Sequence, residues 1–102
     1  TPAASVPPDV HVVELTADNI AFDRLELEVP AGETFVIRFI NAEGVDHNVS
    51  ISDGDTTLFT GATVTGPDVI VDYLVPALDP GEYTFICDFH PIQAMTGTLT
   101  VR

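Results

Sequence analysis

Lysine and tryptophan are missing from this 102-residue chain, and cysteine and methionine occur once each. Three arginines stand against 16 acidic residues, for a net charge of −13. That balance excludes nucleic-acid binding, which depends on neutralising phosphates with cations. It suits a basic protein partner drawn in by a long-range field, and equally a solubility role in a salty environment, because the carboxylates are spread along the chain. A single cysteine rules out an internal disulfide, so in an exported protein the free thiol needs another role. Metal ligation is one such role; a buried, inert thiol is the other. No uninterrupted apolar stretch reaches the length of a membrane span. A basic n-region followed by an apolar h-region is also missing at the start, so the expected form is a mature one lacking its signal or anchor segment.

What is present reads as one β domain. Hydrophobic residues make up 45% of the chain, enough for a single core, and the length is too short for two. Residues 1–8 are small and proline-rich and read as a flexible tail or tether, leaving 9–102 as the domain. Val10 to Thr16, Leu25 to Val29, Thr34 to Ile40, Asn48 to Ser52, Val69 to Val75, Glu82 to Cys87 and Thr98 to Val101 are short β-prone runs. Turn residues separate them every eight to twelve positions, as at Pro30 to Glu33, Asp53 to Asp55 and Asp79 to Gly81. Phe35, Ile37 and Phe39 share one face by period-two alternation, as do Tyr83, Phe85 and Cys87. Helical patterning is confined to a single turn at most, at Asn41 to Gly44 or Thr57 to Gly61. Seven or eight strands in this length predict an all-β, two-sheet antiparallel Greek-key sandwich.

The chemistry concentrates at Cys87, His90 and Met95, a thiolate, an imidazole and a thioether within nine positions. Soft sulfur with imidazole favours copper over magnesium, calcium or manganese. Taken singly, each residue is more often core or loop than ligand. Together they converge: Cys87 lies on an inward face where its strand ends, and His90 and Met95 lie on the loop to the next strand. His47, just before another strand, is placed to join them at the same end of the sandwich. A rigid scaffold holds a small site in this way.

The stretch Gly81-Glu82-Tyr83-Thr84-Phe85-Ile86-Cys87, the Cys-x2-His-x4-Met spacing and the following Gly97-Thr98-Leu99-Thr100-Val101 resemble the C-terminal signature of the cupredoxins. These are the small blue copper proteins of plastocyanin, pseudoazurin and amicyanin type. Asp46-His47-Asn48-Val49 is similar to their first-histidine motif, and the resemblance covers roughly Val10 to Val101. It implies a type 1 copper site with His47, Cys87 and His90 as the trigonal set and Met95 as a weak axial ligand. Asn48 is then expected to tie the His47 loop to the Cys87 loop. Asp46 and Asp88 adjoin ligands in sequence and bring negative charge near the metal. His11 has no counterpart in the motif and is expected at the surface.

The expected function is single-electron transfer between a redox donor and acceptor, for example a basic c-type cytochrome or a membrane oxidase or reductase. The expected form is an extracytoplasmic monomer, periplasmic or on the outer face of a membrane. His90 with Phe89, Pro91 and Ile92 is the expected electron port. Three histidines and one cysteine are too few for a trinuclear cluster, a dinuclear copper centre or a second catalytic copper, so catalysis is not expected. A copper delivery or storage module is the alternative. Zinc is a weaker rival, because a thioether adds little to a zinc site.

Overall fold

A computed structural model describes residues 10–102. The proline-rich tail read at 1–8 lies outside the described residues. Eight strands follow in order: β1 (His11–Ala17), β2 (Glu26–Val29), β3 (Phe35–Asn41), β4 (Ser50–Asp53), β5 (Thr56–Thr60), β6 (Val69–Val75), β7 (Gly81–Ile86) and β8 (Thr96–Val101). They form a three-stranded sheet ordered β1-β3-β6 and a five-stranded sheet ordered β2-β8-β7-β4-β5. The expected two-sheet β-sandwich is therefore present. Within it β1 runs parallel to β3 and β2 parallel to β8, while the remaining pairs are antiparallel. The parallel pairs arise because the chain crosses between sheets after β1 and again after β2, so consecutive strands are not paired.

Period-two alternation decides which side chains fill the interior. Phe35, Ile37 and Phe39 of β3 are fully buried, with Leu15 of β1 and Val75 of β6 beside them. Ile51, Phe85 and Leu99 face them from the other sheet. Phe22, on the β1–β2 connection, meets Phe39 edge-on at a centroid distance of 6.2 Å and Phe85 at 5.6 Å, and so joins the two sheets. Each such buried side chain contributes about 1.5–3 kcal/mol relative to exposure, before the entropy of ordering it. On the outer faces Arg38 pairs with Asp72 at 2.8 Å and Arg102 with Glu28 at 2.7 Å.

Two local expectations give way. Residues 57–60 belong to β5, an edge strand antiparallel to β4, because pairing with Ile51 and Ser52 outweighs any helical tendency of so short a run. Residues 43–45 form bends rather than a helical turn, since Asn41 takes over hydrogen bonding there. The one helical turn among the described residues is a 3₁₀ turn at Gln93–Met95, inside the loop that carries His90.

Strand directions set the location of the site. β3 and β7 end, and β4 and β8 begin, at the same end of the sandwich. Their connections, residues 42–49 and 87–95, therefore lie side by side there.

Candidate metal centre

His47 is fully buried and held by its own backbone. Its N–H donates to the Val64 carbonyl at 3.1 Å, and the Val64 N–H returns a bond of 2.8 Å to the His47 carbonyl. Asn41, also fully buried, donates through Nδ2 to the carbonyls of Val45 (2.8 Å) and Val64 (2.9 Å) and accepts the Glu43 N–H at 3.1 Å. One amide side chain thus satisfies the backbone of a loop that would otherwise hold orphaned polar groups.

The second loop is tied by its own chain. Cys87 donates its N–H to the Met95 carbonyl at 3.1 Å, and the His90 N–H returns to the Cys87 carbonyl at 3.2 Å. The 3₁₀ turn closes through Met95 N–H to the Ile92 carbonyl at 3.0 Å. Met95 is drawn inward, fully buried in the same core cluster as Cys87.

Asn48 couples the loops. Its Oδ1 accepts the Asp88 N–H at 2.9 Å, and its Nδ2 donates to Asp88 Oδ2 at 2.9 Å and to the Gly61 carbonyl at 3.1 Å. The Ser50 hydroxyl also donates to Asp88 Oδ2. Asp46 points elsewhere: its carboxylate accepts the Thr65 hydroxyl at 2.6 Å on the rim of the His47 loop. His11 is exposed on β1.

The result is a compact donor set. Cys87 Sγ lies 3.7 Å from Nδ1 of His47 and 3.7 Å from Nδ1 of His90. The three donor atoms all fall within 4.8 Å of one another, the one such His/Cys/acid group among the described residues. With metal–sulfur near ~2.3 Å and metal–nitrogen near ~2.0 Å, lengths typical of thiolate and imidazole bonds, a trigonal angle gives a sulfur–nitrogen spacing of about 3.7 Å. Both observed sulfur–nitrogen spacings match that value. Tautomer logic agrees. Glu43 Oε2 sits 2.7 Å from His47 Nε2, and a carboxylate only accepts, so Nε2 carries the proton and Nδ1 presents its lone pair to the thiol.

A family model of the cupredoxin-like domain matches residues 2–101. This chain belongs to the cupredoxin family. It is 28% identical to a plastocyanin of Synechococcus sp. (strain JA-2-3B'a(2-13)) over 110 residues, covering 99% of this cupredoxin and 77% of that protein. Among solved structures it resembles amicyanin from Paracoccus versutus, with a TM-score of 0.67, 28% identity, and coverage of 98% of this chain and 88% of that one. The dithionite-reduced auracyanin of Roseiflexus castenholzii superposes with a TM-score of 0.76 at 24% identity, covering 89% and 96% of the respective chains, a likeness of fold.

In this cupredoxin His90 is only partly buried, and its neighbours Phe89 (49% exposed) and Ile92 (46%) open to solvent beside Pro91. An apolar patch thus surrounds the one ligand candidate that reaches the surface. No motif in the sequence marks Glu43, Ser50 or Asn41 as part of this site. Glu43 precedes His47 by four positions, but on an irregular loop that spacing carries no directional meaning. Burial pushes the Glu43 carboxyl up, but the Ile20 amide, the His47 ring and the Asn19 amide outweigh it and hold it below the ordinary value.

Proposed function

We propose that this cupredoxin carries single electrons between redox proteins, with one copper ion that His47, Cys87, His90 and, more weakly, the thioether of Met95 would hold. The observation that carries the reading is the paired 3.7 Å approach of both imidazole Nδ1 atoms to the Cys87 sulfur. Copper in such a set supplies a Cu(II)/Cu(I) couple whose two states tolerate nearly the same ligand geometry. The sandwich does the rest: Asn41, Asn48 and the backbone bonds above hold the donors in place, so little moves when charge changes. Full burial of His47, Cys87 and Met95 keeps water from the donors. If His47, Cys87, His90 and Met95 all hold the ion, no position would be left for a substrate, which suits a carrier rather than a catalyst.

His90 with Phe89, Pro91 and Ile92 is the electron port in this reading. A desolvating centre within a charged rim is the ordinary anatomy of a transient interface. The partners are a redox donor and acceptor of basic surface, such as a c-type cytochrome or a membrane oxidase or reductase. The compartment is extracytoplasmic, where metal ligation gives the single thiol a role.

Adding Cu(II) to metal-free protein and recording the visible spectrum tests the centre. An intense thiolate-to-copper band, absent in Cys87→Ala, is expected; a colourless adduct sinks the proposal. Fast electron self-exchange with slow copper loss to a chelator is expected of a carrier. The opposite pair of rates would instead identify a delivery module.

A further inference from the structure

The β1–β2 connection contains a two-residue reversal that local sequence does not favour. Asp18 and Ala21 exchange backbone hydrogen bonds of 3.0 and 3.1 Å, with Asn19 (φ 56°) and Ile20 (φ 52°) between them. Positive φ at both central residues is the pattern of a type I′ turn, where Asn-Gly is the preferred pair. Asn tolerates this conformation; a β-branched isoleucine does so only under strain. Something outside the turn must hold it.

That support is Glu43. Its Oε2 accepts the Ile20 N–H at 2.7 Å, and the same oxygen accepts the His47 Nε2–H at 2.7 Å. Glu43 is itself fixed by its N–H bond of 3.1 Å to Asn41. On the far side of the turn, the Phe22 N–H donates to the Ala94 carbonyl at 2.9 Å, within the loop carrying His90 and Met95. The five-residue stretch Asp18 to Phe22 therefore reaches both ligand loops, one through Ile20 and the other through Phe22.

We propose that the Asp18–Ala21 turn is a positioning element of the metal centre, which fixes the ring of His47 through the Ile20 amide and the Glu43 carboxylate. For its effect on copper the inference rests on the function proposed above; the clasp itself does not. The left-handed turn aims the Ile20 N–H at a carboxylate that it would miss in an extended conformation. The carboxylate then has both donors satisfied by one oxygen, so it cannot swing away without losing two charge-assisted bonds. His47, gripped at Nε2, keeps Nδ1 aimed at Cys87. Asn19 and Ile20 are thereby as much part of the site as Asn48, though they touch no ligand donor atom.

Hydrogen exchange read by NMR tests this in two states. In the metal-free protein, Glu43→Ala should speed exchange of the Ile20 amide by at least about tenfold, the factor for losing a hydrogen bond to a charged group. In the Cu(I) protein, Glu43→Ala and Ile20→Pro should both speed exchange of the His47 Nε2–H by a similar factor. Ile20→Gly keeps the amide and relieves the strain, so it should leave that rate within about twofold. Glu43→Gln should also preserve slow exchange, because a single amide oxygen can accept both bonds. Unchanged exchange at Ile20 and His47 in Glu43→Ala would overturn the proposal. So would rapid His47 exchange in Ile20→Gly equal to that in Ile20→Pro. The metal-free measurement stands whether or not the blue spectrum forms, which separates failure of the clasp from failure of the copper reading.

Discussion

Asp88 places a carboxylate one residue from Cys87, and both its backbone and side chain are engaged by Asn48, with Ser50 adding a third group. A fixed negative charge near a metal favours the more positive oxidation state. At about 7 Å and an effective dielectric of about 20, a single carboxylate lowers a one-electron potential by at most ~100 mV. Asp88 is exposed, so solvent screening reduces this. Asp88→Asn retains an oxygen for the Asn48 and Ser50 donors and should raise the reduction potential by tens of millivolts, on the order of half that ceiling or less. Voltammetry measures it; an unchanged or lower value removes Asp88 as a tuning residue. Tyr73 offers a test by pH. Burial, and secondarily the Cys87 charge, push its phenol well above the ordinary value, while its hydroxyl donates to the Ala62 carbonyl at 2.5 Å. The folded state therefore holds this proton more tightly than the unfolded chain, whose tyrosines ionise near about pH 10. The contribution is complete below that pH and is lost as pH rises above it. In Tyr73→Phe, the fall in urea midpoint between about pH 9 and 11 should be shallower, with about 1 kcal/mol lost at neutral pH from the missing hydrogen bond.

At the level of strands and loops, the crossing of β7 and β8 is tight where the metal loop begins. Gly97 pairs with Phe85, and a Cβ there would lie 2.6 Å from the Leu25 carbonyl oxygen and closer still to the Phe85 ring. Neither neighbour can retreat, since Phe85 is fully buried and the Leu25 carbonyl accepts the Thr98 N–H at 2.8 Å. Gly97→Ala should cost about 1–3 kcal/mol by urea denaturation, the range for overpacking a closed core. Strand positions such as Phe35, Ile37 and Phe39 were legible because a period of two marks them directly. The two parallel pairings were not, because alternation says which face a residue takes and nothing about which strand lies beside it. β5 was hidden for a related reason: at an edge its residues are mostly exposed, and no alternation remains to read.

For the molecule as a whole, the charge balance makes the salt dependence of encounter a test of steering. Two of the three arginines are committed to ion pairs, Arg38 with Asp72 and Arg102 with Glu28, while the net charge is −13. The field reaching an approaching partner is therefore negative. Electron transfer to a cationic cytochrome should be fastest at low salt and slow by about tenfold or more as ionic strength rises past ~0.1 M. With an anionic oxidant such as ferricyanide the rate should instead rise with salt. Stopped-flow series against both reagents check the signs, and a salt-independent rate for the cation would remove steering from the account.

The amino-acid sequence alone marked the sandwich class and the cluster of candidate soft donors Cys87, His90 and Met95, through local spacing and residue chemistry, while His47 entered through its resemblance to the family's first-histidine motif. Tertiary structure alone decided that Asp46 faces Thr65 while Asp88 faces Asn48 and Ser50. It also decided that Glu43 grips His47, and that a strained turn at Asn19 and Ile20 reaches Glu43 across 23 residues of chain. Those contacts join segments far apart in sequence, and their geometry exists only once the two sheets have packed and brought one end of the sandwich together.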